Sequence, residues 1–340
     1  MSTAQNTASV ELGEETGLRD VPLDSEGIRA TVEKDDTRTL NTVDEAVTAW
    51  YDYLDAKENQ SLVMEEQETG DLLVVPHTHR WDADYRRKTY ARLKAAERHV
   101  TAKWGEEVPT TMITLTAPHN DARGDARPFT AVLDDIKQGM DKARHVIRRE
   151  TEGIETEYLA VLEPHATGYP HIHILVFGVA SPSLGEKVAD YWANRYVEGA
   201  SRDAQDVTTA RGRSAQLESP AAYLMKYLSK SLAREGSDET ADRENLPSIA
   251  GYEEFSALMW ASGKRTYSMS EGLSRAVKDS KPETEETPGE WEYIGTVSGV
   301  ESGLYSGEQA EKLGKYLAGS KNQQTPPRRG KPSRRDQCIV

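Results

Sequence analysis

Two histidines at alternate positions of an apolar run, His171-Ile172-His173-Ile174-Leu175-Val176-Phe177, are the first residues whose type and spacing could do chemistry. Side chains alternate along a strand, so His171, His173, Leu175 and Phe177 share one face and Ile172, Ile174 and Val176 take the other. Two residues on one face are separated by roughly 6.6 Å between Cα atoms. That lets both imidazoles converge on one cation at ligand distances of about 2.0–2.2 Å. A third donor is expected from the preceding strand or its turn: Glu163, at the end of Tyr158-Leu-Ala-Val-Leu-Glu163, or His165, nearer the turn. Two histidines and a carboxylate with open positions suit Mg²⁺ or Mn²⁺, because a phosphate can supply the remaining oxygens. A pair of satisfied cross-strand histidines would show the same spacing, so the pair alone does not decide the matter.

A second constellation adds to it. In the segment after Pro220, Tyr223, Lys226, Tyr227 and Lys230 fall at i, i+3, i+4 and i+7, one stripe of a helix. Ala221, Leu224, Met225, Leu228 and Leu232 form a separate apolar stripe, which is the side to bury. The tyrosines then stand one turn apart, with Cβ atoms about 5–6 Å from each other, on a face the core does not claim. An amphipathic surface helix explains the stripes alone, with Tyr and Lys snorkelling into solvent. It does not explain a doubled Tyr-x-x-Lys downstream of a His-x-His strand. Transesterification of a phosphodiester needs both parts. A cation neutralises charge building on the non-bridging oxygens, and a tyrosine hydroxyl attacks phosphorus to become a phosphotyrosine. Free tyrosine has a pKa of about 10, so Lys226 or Lys230 is expected to assist by charge and by contact with the phosphate.

The elements that must position these groups are legible as periodic segments. Thr42–Leu54 and Tyr85–Val100 read as helices, the second with Tyr85, Thr89, Leu93, Ala96 and Val100 inward and its basic residues outward. Thr111–Thr116 is β-branched and reads as a strand, Phe129–Ile147 as a helix behind Pro128, and Thr156–Glu163 and His171–Phe177 as strands joined by the turn His165–Pro170. Leu184–Tyr196 reads as a helix, Ser219–Pro220 as a helix start, Glu253–Ala261 as a helix stopped by Gly263, and Lys264–Met269 as a strand. Tyr293–Val297 and Gly307–Leu317 form a strand-and-helix tailpiece. His77-Thr78-His79, behind Pro76, reads as an exposed loop. The expected fold class is α+β, a central antiparallel sheet flanked by helices. The expected boundaries are a disordered acidic arm at 1–40, a helical region at 41–105, the catalytic domain at 106–275, an acidic linker with tailpiece at 276–320, and a basic disordered tail at 321–340.

Charge sets the remaining bounds. With 57 acidic against 42 basic residues the formal net charge is −15, at first sight against a nucleic-acid partner. The acid is concentrated in 1–40 and 279–292, whereas Arg80–Lys103 and Lys321–Arg335 are basic and are expected to contact phosphates. Acid excess with only three phenylalanines fits adaptation to molar internal salt as well as an ordinary acidic protein. At 1 M salt the Debye length is only about 3 Å, so DNA would be held by hydrogen bonds and stacking more than by a long-range field. No apolar run reaches the roughly 18 residues of a membrane span, no secretory leader is visible at Met1–Leu12, and the only cysteine is Cys338. A cytoplasmic protein with no membrane partner is the expectation.

These residues resemble the HUH endonucleases, in particular the rolling-circle replication (Rep) initiators of plasmids and single-stranded DNA viruses. Three motifs appear in the family's order: Thr111-Met-Ile-Thr-Leu-Thr116, then Gly168-Tyr-Pro-His171-Ile-His173, then Tyr223-Leu-Met-Lys226-Tyr227-Leu-Ser-Lys230. Arg265-Thr-Tyr-Ser-Met-Ser270 is similar to a trailing element of some relatives. The resemblance implies metal ligation by His171 and His173 with Mg²⁺ or Mn²⁺, nucleophilic attack by Tyr223 or Tyr227, and a partner in single-stranded origin DNA. It also implies a free 3′-OH for a host DNA polymerase, with a helicase. Both tyrosines meet the one-tyrosine pattern and together they match the two-tyrosine pattern. Mobilisation relaxases and single-strand transposases would use the same residues, and a non-catalytic DNA-binding replication protein would keep the fold. Histidine-triad hydrolases are excluded, because their third strand position is Leu175 here. The acidic composition implies a salt-adapted archaeal lineage.

Overall fold

The computed structural model describes residues 26–211, 252–279 and 291–320 apart from Lys34 and Ala166, and before them Leu18, Val21, Leu23 and Asp24. The first regular element is a hairpin, β1 (Ile28–Glu33) and β2 (Asp36–Leu40). It lies within the stretch read from sequence as an acidic arm. The reason is a short period-two pattern: Ile28, Ala30 and Val32 are buried while Arg29, Thr31 and Glu33 face out. Regular structure therefore starts well before residue 41. Helix α1 (Val43–Glu58) begins where Thr42 caps it, accepting from the Glu45 amide, and Glu45 accepts in return from the Asn41 amide at 2.6 Å. Strands β3 (Gln60–Glu66) and β4 (Leu72–Pro76) follow, and then α2 (Ala83–Trp104), capped by Asp82.

The central sheet takes β5 (Pro109–Thr116), β6 (Glu157–Pro164), β7 (Pro170–Phe177), β8 (Asp206–Arg211) and β9 (Tyr267–Met269) in the spatial order β8-β5-β7-β6-β9, all antiparallel. The expected α+β architecture with a central antiparallel sheet is what the chain forms. Between β5 and β6 runs α3 (Phe129–Glu150), which begins directly behind Pro128; after β7 comes α4 (Pro182–Tyr191), capped by Ser181 with Pro182 in its first turn. The helix expected through Tyr196 changes to a π-helical turn at Trp192, whose indole donates to the Thr116 carbonyl at 2.8 Å. Helices α5 (Tyr252–Ala261) and α6 (Glu271–Asp279) flank β9 in sequence.

Register assigns the two faces. Val207, Ile113, Ile174 and Ala160 form one row across the sheet, and α4 lies on it so closely that a Cβ on Gly185 would come within 2.2 Å of Val207 Cγ1. Helix α3 lies alongside, with Gly139 against the Trp192 ring. The opposite face carries the rows Thr116–His171–Glu163 and Asp206–Thr114–His173–Val161–Tyr267.

A second, four-stranded sheet has the order β10-β3-β4-β11, where β10 is Trp291–Ser298 and β11 is Gly303–Tyr305, with α7 (Glu308–Ser320) packed on it. The expected tailpiece is thus paired with strands 60–76, inside the stretch read as helical. Val63, Leu72, Val74, Val297, Leu313 and Leu317 give it a small core of its own. Two strands alone have no cover for their apolar face, and residues 291–320 supply it. Among the described residues no helix is long and apolar enough to cross a membrane.

Candidate metal centre

The β6–β7 hairpin builds the site by register. Glu163 pairs directly with His171 across the two strands, and Val161 pairs with His173. The carboxylate and both imidazoles therefore project from one face within one residue step of each other. Beyond Pro164↔Pro170 the chain turns through 165–169, closed by His165 N–H to the Tyr169 carbonyl at 2.8 Å and Gly168 N–H to the His165 carbonyl at 2.7 Å. Gly168 has φ +83°, a left-handed conformation that favours glycine, and a Cβ there would also press on Leu18 Cδ1 at 2.3 Å.

Glu163, His171 and His173 are buried and their donor atoms converge. His171 Nε2 lies 2.9 Å from Glu163 Oε1 and 3.0 Å from His173 Nε2, and His173 Nε2 contacts the same carboxylate oxygen. These three donor atoms are close enough to share one cation. Three such mutual approaches cannot all be ordinary hydrogen bonds, since each Nε2 carries at most one proton and the ionised carboxylate none, which leaves two protons for three contacts.

Electrostatics agree with a ligand set. Burial alone would raise the Glu163 carboxyl, but hydrogen bonds from His171 and His173 hold it below the usual carboxylate range. Burial is the chief reason that His171 is pushed below the usual histidine value, with the Glu163 carboxylate opposing it. An ionised carboxylate beside a neutral imidazole is the state in which both bind a cation. Thr114 Oγ1 lies 2.9 Å from His173 Nδ1, so the hydroxyl fixes the ring with Nε2 toward the site.

Of the two candidates for the third donor, the structure brings Glu163 into the set and leaves His165 outside it. His165 is exposed, with its ring centroid 5.9 Å from that of His171, because it lies past the last strand pair. Tyr223, Lys226, Tyr227 and Lys230, like the acidic arm to residue 17 and the basic tail from 321, lie outside the described residues. His77-Thr78-His79 is a loop as expected, but His79 is buried, its ring centroid 6.4 Å from that of Trp81. Sequence reasoning missed Thr114, although its place in the alternating run TMITLT puts it on the face of β5 that pairs with the histidines. It also missed His119, which stacks on Tyr169 at 4.5 Å and meets Thr167 Oγ1 at 3.2 Å. Burial, and then the neighbouring His165, push His119 down to about 4.

Fold and site together define a class: an antiparallel α+β protein with a two-histidine, one-carboxylate donor set on the sheet face opposite α4. Residues 19–304 match the model of the DUF1424 family, whose description is "Putative rep protein", and the chain belongs to that family. It is 32% identical over 264 residues to an "Uncharacterized 36 kDa protein" of Halobacterium salinarum, covering 73% of this chain and 79% of the relative. A protein of the same description from Halobacterium sp. (strain GN101) is 30% identical over 295 residues, 80% of this chain and 83% of its own. "Uncharacterized protein 1" of Halorubrum pleomorphic virus 1 is 26% identical over 243 residues, 65% of this chain and 47% of its own. Relatives in salt-loving archaea and in a virus of that group agree with the lineage expected from composition. No solved structure matches.

Proposed function

We propose that this protein is a replication initiator that nicks single-stranded origin DNA by tyrosine transesterification. The observation that carries the reading is the convergence of Glu163, His171 and His173 on one face of the sheet, in a chain of a Rep-described family. A divalent ion such as Mg²⁺ or Mn²⁺, bound there, supplies charge against the scissile phosphate and polarises its oxygens. Glu163 contributes the one formal negative charge of the donor set, so the site keeps net positive charge for a phosphate once loaded. Thr114 holds the His173 ring in place while the phosphate enters. In the reaction, Tyr223 or Tyr227 Oη forms a bond to phosphorus, the phosphorus–O3′ bond breaks, and the deoxyribose 3′-oxygen leaves and takes up a proton. The phenol proton passes to solvent, with Lys226 or Lys230 stabilising the phenolate that attacks. The products are a 5′-phosphotyrosine and a 3′-OH, the end that a host polymerase extends behind a helicase. Attack by that 3′-OH on the phosphotyrosine rejoins the ends.

The test is incubation of the whole protein with end-labelled single-stranded origin DNA and Mn²⁺, followed by denaturing electrophoresis. With the label on the 3′ end, a labelled band at the mass of protein plus the fragment 3′ of the nick is expected. It should disappear with EDTA and in the Tyr223→Phe/Tyr227→Phe double variant, while at least one single variant keeps first-strand cleavage. DNA bound without any covalent product would instead favour a non-catalytic replication protein on this fold. An adduct mapped to neither tyrosine would refute the mechanism.

A further inference from the structure

The helical layer carries a grouping of cations and aromatic rings, centred on the π-helical turn that follows α4. In an α-helix, residues five apart point about 140° from each other. The wider turn at Trp192–Tyr196, closed by Val197 N–H to the Trp192 carbonyl at 3.1 Å, instead brings Tyr191 and Tyr196 together. Their rings stack 17° from parallel with centroids 5.8 Å apart. Three cations sit on this pair. The Arg149 and Arg195 guanidiniums each lie 5.1 Å from the Tyr191 ring centroid, so they are no farther apart than twice that distance. Lys142 Nζ lies 5.4 Å from the centroid of Tyr196. Lys142 and Arg149 are exposed two turns apart on one side of α3, with exposed Arg148 beside them. The neighbouring carboxylates of α3 and α4 are engaged: Asp141 with Arg144, Glu150 with Arg149 and Lys187, and Glu186 and Asp190 with Arg202. Among the described residues Lys142, Arg148 and Arg195 make no carboxylate ion pair, in a chain whose formal net charge is −15. Glu198, exposed two residues past Tyr196, is likewise unpaired among them.

The place of this patch in the fold points to what it meets. Trp192, inside the turn, donates its indole N–H to the Thr116 carbonyl at 2.8 Å, and Thr116 is the register partner of His171. The turn therefore reaches the metal-site end of the sheet from the side opposite Glu163, His171 and His173, and Lys142 to Arg149 extend the patch along α3. A small anion at the metal centre meets none of these cations, whereas a polymer with regularly spaced anions that rounds the sheet meets both. A guanidinium seated on a ring has less rotamer freedom to lose on binding. That counts for more where salt cuts the long-range field to about 3 Å, as at 1 M. We infer that Lys142, Arg148 and Arg195, with Arg149 and the tyrosine pair as their support, form a second contact for DNA. It grips the phosphate backbone of the segment that flanks the one at the metal centre. The inference rests on the proposed function for DNA as the polyanion and for the flanking place; the patch itself is defined without it.

Fluorescence anisotropy of the full chain with a labelled origin oligonucleotide, in EDTA and over a KCl series, tests it, with single-stranded and duplex forms as separate arms. The double variant Lys142→Gln/Arg195→Gln should weaken binding roughly tenfold at low salt. It should also lower the slope of log K against log salt by about 1.4 on a single strand or about 1.8 on a duplex, the values for two phosphate contacts. The arm in which the slope changes identifies the form of DNA held there. Both side chains are exposed, so an unchanged melting temperature is expected and keeps the comparison valid. Lys312→Gln/Lys315→Gln on α7 makes the same change in net charge, on lysines paired with Glu308 and Glu311, and should leave the slope at its wild-type value. Tyr191→Leu keeps every charge, so affinity should fall about threefold with the slope unchanged. Wild-type affinity and slope in the Lys142/Arg195 variant, or an equal loss in the α7 variant, would overturn the patch as a DNA contact, whether or not the covalent adduct forms. Loss confined to the patch variant, with no adduct in the wild type, would leave the patch standing and remove the nicking reading.

Discussion

At the scale of single residues, the hydroxyl of Thr114 has the clearest task. It holds His173 Nδ1 at 2.9 Å, and partners of this kind orient a ligand ring and set its basicity. Thr114→Val keeps the shape and deletes the bond, so calorimetry with Mn²⁺ should show affinity weaker by about ten-fold or more. Equal affinity would mean that packing alone orients the ring. His119 makes a prediction of the opposite kind, about stability. Its folded pKa is about 4 against an ordinary 6.5, so the unfolded chain binds its proton first as pH falls. Its contribution to stability is complete above 6.5 and is lost as pH falls toward 4. His119→Gln should therefore flatten the decline of melting temperature between pH 6.5 and 4, and an unchanged decline would assign the acid sensitivity to other groups.

At the scale of elements, α3 and the Trp192 turn show how closely the site's support is packed. A glycine in mid-helix costs about 1 kcal/mol relative to alanine, so Gly139→Ala would stabilise α3 in isolation. Here the added Cβ would meet Trp192 at 2.5 Å, and overpacking of a core costs about 1–3 kcal/mol. The second effect wins in most of that range, and the variant should melt roughly 2–6 °C lower; a higher melting temperature would show that the indole simply moves. The same elements mark how far sequence alone reaches. Helix α3 was legible because Phe129, Val132, Leu133, Ile136, Met140, Ala143 and Ile147 keep one period for over five turns. His171 and His173 were legible because a strand fixes which residues share a face. Strands β3 and β4 were not, because half of their partners come from residues 291–305, more than two hundred positions away, and local alternation in Gln60–Glu66 is weak. The choice between Glu163 and His165 was open for a related reason: it depends on the register of the hairpin, which is set by where the turn closes. Arg80 was grouped with the basic face of α2, since nothing local says that it folds back onto the Lys264 carbonyl.

For the whole molecule the question is what an excess of 15 acidic charges does to a protein proposed to meet DNA. Two salt effects compete. Salt weakens exposed ion pairs such as Lys312 with Glu308 and Arg275 with Glu271, but such pairs are worth about 0–1 kcal/mol each. Salt also screens the mutual repulsion of the acidic excess, which opposes the compact state throughout the chain. Because the first effect is small and local and the second sums over the surface, stability should rise as KCl goes from 0.1 to 2 M. DNA binding through exposed lysines and arginines should fall over the same range. The two curves would cross in a window where the protein is folded and exposed contacts to a strand have been screened away. Melting curves and anisotropy titrations on one KCl series would locate that window. A melting temperature that falls steadily with KCl would show that ion pairs, not acidic repulsion, dominate this surface, and salt adaptation would no longer explain its composition.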